Sequence, residues 1–448
     1  MISPRTRRHN EVSLLLLAFF VAIGGVWLTA LARGLQLPRN LFTYIVTFAL
    51  SMVAAHLAIR RWAPGADPLL IAIPALLYAI GLVVIDRLAE SIDQADLGVA
   101  QARWLVVAVG AMIATIALVR DARSLARFRY TFAFVGVVLL LLPLLPGIGR
   151  EINGARLWIH LGPLSFQPAE LGKIALVLFF AGYLAERREL LAVAKRRIGP
   201  IGVPAMRHFG PVLVAWGVSL LVMINQKDLG SSLLFFAIFV GMLWMATARP
   251  IYLVSGGLMF IAGALIAAKL FSHVESRILV WRDPFAHYDG RGYQVVQSLF
   301  ALATGGTWGT GLGQGRPDLI RFSVHTDFIF SAIGEELGLA GGLSVLVAFA
   351  LLAARGFGLS TRCRDDFSKL LVAGLIGALS LQTILIIGGV TKLIPLTGVT
   401  LPFVSYGGSS LLSNFILIGI LIRVSDEVSK QQGEGPATEL NLAAGGGR

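Results

Sequence analysis

Ionisable side chains are costly inside a lipid bilayer, so where they interrupt an apolar sequence they mark a functional position by default. This chain carries several at the borders of long apolar runs. They are Glu170 and Lys173, Asp228, Asp327, Glu335 and Glu336, and Lys392. Ser405, Tyr406, Ser409 and Ser410 open another such run beside Gly407 and Gly408. His325 stands two residues before Asp327, and Arg156 lies in Asn153-Gly-Ala-Arg-Leu-Trp-Ile. Basic groups (Arg156, Lys173, Lys392) and acidic groups (Asp327, Glu336) gathered on one face of a bundle would suit a substrate with an anionic head and a lipid tail. Each residue also has a plainer reading. Lys173 can neutralise Glu170, three residues away on one helical face. Asp228 and Asp327 can cap helix N-termini. Glu335 and Glu336 can pair with backbone or arginine, Arg156 can anchor at the interface beside Trp158, and His325 can be a solvent-exposed loop residue. Convergence on one side favours the functional reading.

The elements that position these residues are membrane spans. Of 448 residues, 56% are hydrophobic and 14% charged, against about 25% charged in ordinary soluble domains. With a mean hydropathy of +0.78, most of the chain must be embedded. Cys363 is the only cysteine, which excludes a disulfide scaffold and a thiolate zinc site. The net charge of +13 would suggest nucleic acid in a soluble protein. Here it fits the basic cytoplasmic loops of a membrane protein, and no nucleic-acid partner is expected. A span needs about 20 mostly apolar residues. Twelve runs qualify, at 13–33, 41–59, 68–86, 104–119, 130–147, 168–185, 210–225, 229–247, 251–269, 328–354, 368–390 and 403–423. They are continuously apolar rather than alternating, which argues against a barrel and for an all-α polytopic protein. The basic start and the Ala30-Leu-Ala stretch mimic a signal peptide, but the apolar run is long and eleven more follow, so no cleavage is expected.

With a cytoplasmic N-terminus, the three loops richest in Lys and Arg all fall inside, so both termini are predicted to be cytoplasmic. The polar residues above then cluster at the extracytoplasmic ends. The longest connection, 270–327, also falls outside. It is rich in aromatics, and Tyr293-Gln-Val-Val-Gln-Ser-Leu-Phe-Ala-Leu has the spacing of a short amphipathic helix at the membrane surface. A glycine-rich turn segment, 304–315, follows it. The expected organisation is a basic cytoplasmic start (1–12), one membrane domain (13–425) and a disordered cytoplasmic tail (426–448).

At these residues the sequence resembles the SEDS family, the RodA/FtsW/SpoVE group of bacterial cell-wall polymerases. Six ordered stretches over about 130–425 carry the likeness. They are Asn153-Gly-Ala-Arg-Leu-Trp-Ile with Phe166-Gln-Pro-Ala-Glu-Leu-Gly-Lys; Asp228-Leu-Gly-Ser-Ser; Asp283-Pro-Phe with Gly292-Tyr-Gln-Val-Val-Gln-Ser-Leu; Gly309-Thr-Gly-Leu-Gly; His325-Thr-Asp-Phe-Ile-Phe with Gly334-Glu-Glu-Leu-Gly; and the sixteen residues from Pro395 to Ser410. The family core has ten spans, so two N-terminal helices look added, as in actinobacterial members. Many members carry Leu-Pro-Glu before the His-Thr-Asp; here the run is Arg321-Phe-Ser-Val, which puts any role of that glutamate in doubt.

The resemblance implies a peptidoglycan glycosyltransferase at the outer face of the cell membrane. The substrate would be lipid II, a disaccharide-pentapeptide on undecaprenyl pyrophosphate, and the transfer would invert the anomeric carbon. Such chemistry needs a base near the attacking hydroxyl and positive charge near the leaving pyrophosphate. The family's essential aspartate falls on Asp327, as general base or as the group orienting the acceptor or a divalent ion. Arg156 and Lys173 match basic positions suited to the pyrophosphate. Glu336, Lys392, His325, Gln294 and Ser405 are further substrate-site candidates by the same resemblance. Mg²⁺ or Mn²⁺ beside a pyrophosphate is compatible with one or two outer carboxylates, but there is no dedicated ligand motif. The expected partner is a class B penicillin-binding protein, a transpeptidase. A lipid II flippase is the alternative, and a non-catalytic scaffold a third reading. The flippase fits less well, because alternating access should place charges towards both faces, whereas the inner halves look bare. Elongation and division members share these motifs; the short arm before the first span leans to elongation.

Overall fold

The computed structural model describes residues 4–34, 37–38, 40–92, 94–152, 155–161, 164–192, 196–198, 201–203, 217 and 228–445. Among them, eleven helices are long and apolar enough to cross a membrane. The expected all-α, multi-pass architecture is what the chain adopts. Of the run at 210–225, all but Gly217 lies outside the described residues.

The helices follow in chain order: α1 (Pro4–Ala32), α2 (Leu41–Trp62), α3 (Leu69–Ser91), α4 (Leu97–Leu118), α5 (Arg129–Leu141), α6 (Pro168–Ala192), α7 (Leu229–Thr247), α8 (Ile251–Leu270), α9 (Ser272–Arg282), α10 (Tyr293–Gly305), α11 (Ile329–Arg362), α12 (Asp366–Val390) and α13 (Gly408–Gly445). Pro74 sits inside α3; membrane helices tolerate this because neighbours and local adjustments satisfy the freed backbone groups. Burial sorts the spans. The apolar windows of α6 and α13 are 83% buried, whereas that of α8 is 6% buried. So α3, α6, α12 and α13 form the centre, and α5 and α8 are left to face lipid. α13 packs on α4, α3 on α1, α5 on α6, and α11 on α12.

Two features depart from a bundle of plain spans. Between α5 and α6 stands a three-stranded antiparallel sheet of β1 (Gly149–Ile152), β2 (Ala155–Leu161) and β3 (Leu164–Phe166). Its cause is local: Leu157-Trp-Ile-His-Leu is rich in residues that favour strands. A shorter hairpin joins β4 (Arg196–Ile198) to β5 (Ile201–Val203). The connection at 270–327 is largely structured. It holds α9, α10 and short 3-10 turns at Phe285–His287 and Pro317–Ile320, with α10 on the segment expected to be amphipathic.

The second departure is in α11, which breaks at Gly338 (φ 66°, ψ −165°). This region of backbone space is essentially reserved for glycine. The glycine-rich segment crosses the break and satisfies its backbone. Thr310 N and Gly311 N donate to the carbonyls of Glu335 and Glu336 at 2.9 and 3.0 Å. Leu339 N and Ala340 N donate to the carbonyls of Gly306 and Thr307 at 2.9 and 3.1 Å. Non-helical backbone at membrane depth is tolerated only where protein satisfies it in this way. A Cβ at Gly309 would run into the Glu336 carbonyl, and one at Gly338 into the backbone of Thr307 and Gly309.

Candidate active site

Asp327 immediately precedes Phe328, the N-cap residue of α11. Its backbone is held from the irregular segment 391–407, which joins α12 to α13. Ser405 Oγ donates to the Thr326 carbonyl at 2.6 Å and accepts from Leu401 N at 2.9 Å. Tyr406 N donates to the His325 carbonyl at 2.9 Å, and the two rings meet edge to face at 5.6 Å. Ser405 and His325 therefore fix the stretch that carries the aspartate. Gln294, from α10, donates to the Ile320 carbonyl at 3.2 Å and to Ser323 Oγ at 2.9 Å, supporting the turn just before it.

The cation beside Asp327 is Arg277, on α9. Its Nη1 donates to the carbonyls of Thr397 at 3.1 Å and Leu396 at 3.4 Å. One turn on, Trp281 Nε1 donates to the Lys392 carbonyl at 3.1 Å. Residues four apart share a helical face, so α9 grips 392–397 with one side. Gly398 turns the chain with φ 74°. A Cβ there would lie 3.8 Å from both Arg277 Nη2 and Asp327 Oδ2, so the guanidinium and the carboxylate flank one glycine.

Asp228 caps α7 through Oδ1, which accepts from Ser231 N at 3.0 Å. Its Oδ2 is buried without a partner among the described residues, as is Thr397 Oγ1. Two residues on, Gly230 abuts the Thr397 carbonyl so closely that a Cβ would not fit. Thus α7, α9, the start of α11 and segment 396–398 meet at one place.

The electrostatics follow from this packing. Asp327 is partly buried, and loss of hydration is the largest influence on it. The Thr326 hydroxyl and Arg277 oppose that influence, and Asp228 reinforces it; the net effect raises its pKa to about 6. Burial also raises Asp228, against its bonds from Ser231 and the charge of Arg277. Burial lowers His325, so the ring is neutral at ordinary pH and supplies no positive charge.

The remaining expected residues divide. Lys392 lies on the segment gripped by α9, with φ 61°, and its ammonium makes no ion pair among the described residues. Lys173 is buried and committed: Nζ bonds Glu170 Oε2 at 3.0 Å and Gln382 Oε1 at 2.6 Å. Gln382 in turn donates to the Thr400 carbonyl at 2.9 Å, so Lys173 braces the far side of the 391–407 segment. Glu336 lies behind the glycine-rich turn. It receives Arg87 Nε at 2.6 Å and Gly313 N at 2.9 Å, while Arg87 Nη2 bonds the Gly315 carbonyl at 2.7 Å. Arg156 projects from β2, half exposed, 3.6 Å from Glu151. The structure gathers Asp327, His325, Ser405 and Gln294, sets Lys392 on the segment that α9 grips, links Lys173 to that segment through Gln382, turns Glu336 of α11 towards Arg87 and the glycine-rich turn, and leaves Arg156 on β2.

Arg277 was not legible as a site residue. Arginines in a long loop carry little information, and its partners are backbone carbonyls 119 and 120 residues away. Asp228 stood out as an acid at a span border, but nothing local tied it to Asp327. Among the described residues no group of three or more His, Cys, Asp or Glu side chains could hold a metal ion. The donor set does not fit a dedicated metal centre.

Comparison with known proteins gives a consistent picture. The family model described as cell cycle protein, covering FtsW, RodA and SpoVE, matches residues 67–430. The peptidoglycan glycosyltransferase RodA of Mycobacterium tuberculosis is 42% identical over 451 residues, covering 98% of this chain and 95% of that protein. The stage V sporulation protein E of Bacillus subtilis is 34% identical over 370 residues, covering 80% and 96%. Among solved structures, a chain from work on structural coordination of polymerization and crosslinking by a peptidoglycan synthase complex superposes with a TM-score of 0.65. It is 27% identical and covers 81% of this chain and 98% of its own. The rod shape determining protein RodA of Thermus thermophilus gives a TM-score of 0.56 at 27% identity, covering 80% and 96%.

Proposed function

The chain belongs to the FtsW/RodA/SpoVE family, and from that premise we propose that it is a peptidoglycan glycosyltransferase. It polymerises lipid II at the outer face of the cytoplasmic membrane, with both termini inside. The observation that carries this reading is the placement of Asp327: a partly hydrated carboxylate flanking Gly398 opposite Arg277, with a proton affinity raised towards neutrality.

In this reading Asp327 takes the proton of the acceptor sugar's 4-hydroxyl as that oxygen attacks the anomeric carbon of the growing strand. The new C–O bond forms as the bond to the lipid diphosphate breaks, and configuration inverts. A base works best when its pKa lies near the operating pH, which a fully hydrated aspartate at about 3.9 would not satisfy. Arg277 and Lys392 meet the charge that develops on the departing diphosphate. Lys173 and Ser405 keep the 391–407 segment in place.

The identities of 42% and 43% to mycobacterial RodA proteins, against 33–35% to FtsW proteins, favour a role in elongation. The complex containing the superposed chain supports a transpeptidase partner, a class B penicillin-binding protein. Recovery of no such protein with this chain in mild detergent would count against it. The central test uses purified protein and labelled lipid II. Glycan chains form with the parent and vanish with Asp327→Asn; polymer of unchanged length and amount from the variant defeats the assignment.

A further inference from the structure

Asp228 has an occupation beyond capping α7. A cap needs one carboxylate oxygen, and Oδ1 supplies it to Ser231 N. Oδ2 has no hydrogen-bond partner among the described residues, in a side chain only 7% exposed. A buried carboxylate oxygen left without a donor is costly, and such exceptions call for an explanation. The surroundings offer one. Arg277 Nη2 and Asp327 Oδ2 flank Gly398, and Gly230, in the first turn of the helix that Asp228 caps, abuts the Thr397 carbonyl, to which, with that of Leu396, Arg277 Nη1 donates; the same cation bears electrostatically on both acids. The acid on the far side, Glu170, already has Lys173. One guanidinium therefore serves two carboxylates.

We propose that Asp228 is a positioning residue for the glycosyl transfer: it competes with Asp327 for the charge of Arg277, so that Asp327 is only partly neutralised and remains able to accept the hydroxyl proton. This rests on Asp327 being the base. The groups that bear on Asp327 are Thr326, Arg277 and Asp228. Those that bear on Asp228 are Ser231, Arg277 and Glu170. With Asp228 neutral, Arg277 would hold Asp327 more firmly as a carboxylate and make it a weaker base. The arrangement resembles other carboxylate pairs in that a like charge raises the proton affinity of its neighbour. It differs because one nearby cation, Arg277, opposes the effect on both.

Asp228→Asn is the decisive variant. Asparagine caps helices as well as aspartate does, so the fold is kept while the charge is lost. Polymerisation of labelled lipid II is followed from pH 4.5 to 8.5, with Asp228→Ser as a second capping variant. The midpoint of the acid limb should move down by about one unit in both, the order of shift expected from one nearby charge. The plateau rate should fall several-fold. Arg277→Gln should move the midpoint the other way, upwards. An unshifted midpoint in both Asp228 variants, with thermal midpoints like the parent's, overturns the proposal and leaves Asp327 as the base. Persisting activity in Asp327→Asn would overturn the base itself, so the two failures are distinguishable.

Discussion

Replacing Asp327 by asparagine should abolish polymerisation and at the same time make the folded protein more stable near neutral pH. Burial raises this carboxyl from 3.8 to about 6 in the folded chain. A group whose folded pKa lies above its unfolded value costs stability when it is ionised. The cost is full above about pH 6, fades as pH falls towards 3.8, and is absent below that. Each unit corresponds to 1.36 kcal/mol, so the ionised form costs at most about 3 kcal/mol. Residual contact of Asp327 with water lowers that ceiling, and an observed gain of about 1–2 kcal/mol is expected. The assay is thermal unfolding of parent and variant in detergent at pH 7.5 and pH 4. The variant should melt higher at pH 7.5, and the two should converge at pH 4. Catalysis should show the same group from the other side. With a pKa of about 6, only about a tenth of the base is ionised at pH 5, so the parent's rate there should be roughly a tenth of its plateau. A hydrated aspartate would stay almost fully active at that pH. A variant that melts lower than the parent at pH 7.5, or a rate flat down to pH 5, would refute the electrostatic reasoning.

Glu336→Ala leaves Arg87 buried without its anion; such losses cost about 3–5 kcal/mol, and the thermal midpoint should drop with KM for lipid II unchanged in whatever folds. Gly338→Ala forces a side chain into backbone at a position with φ 66°, and little monodisperse protein should be recovered on size-exclusion chromatography. Ser405→Ala removes the bonds to Thr326 O and Leu401 N at about 1–3 kcal/mol; the turnover number should fall while protein yield holds.

The spans were readable because each is a continuous apolar run near the length a bilayer demands. Asp327 was readable for the complementary reason, as a carboxylate at the edge of such a run. What escaped was set by partners remote in sequence. Lys173 looked available for a diphosphate, yet its ammonium is spent on Glu170 and on Gln382, 209 residues away. Arg277 looked like any loop arginine until α9 folded onto 392–397. The break in α11 was hidden in Gly334-Glu-Glu-Leu-Gly-Leu-Ala-Gly-Gly, since four glycines close together in one span do not tell which of them breaks the helix. The sheet of β1 to β3 has a local signal, Leu157-Trp-Ile-His-Leu, too short to tell a strand from an interfacial loop.

The seam at Gly338 has a mechanical consequence. Four backbone bonds tie the two halves of α11 to residues 306–311, and the Arg87–Glu336 pair rivets the same turn to α3. The half of α11 that begins just after Asp327 cannot tilt by itself: it must either carry α3 and the turn with it or break the two bonds made by Glu335 and Glu336 together with the Arg87 pair. Lengthening 304–315 by one residue would shift those bonds out of register. Whatever admits and releases a lipid-borne sugar must therefore yield at some place other than this seam beneath the aspartate.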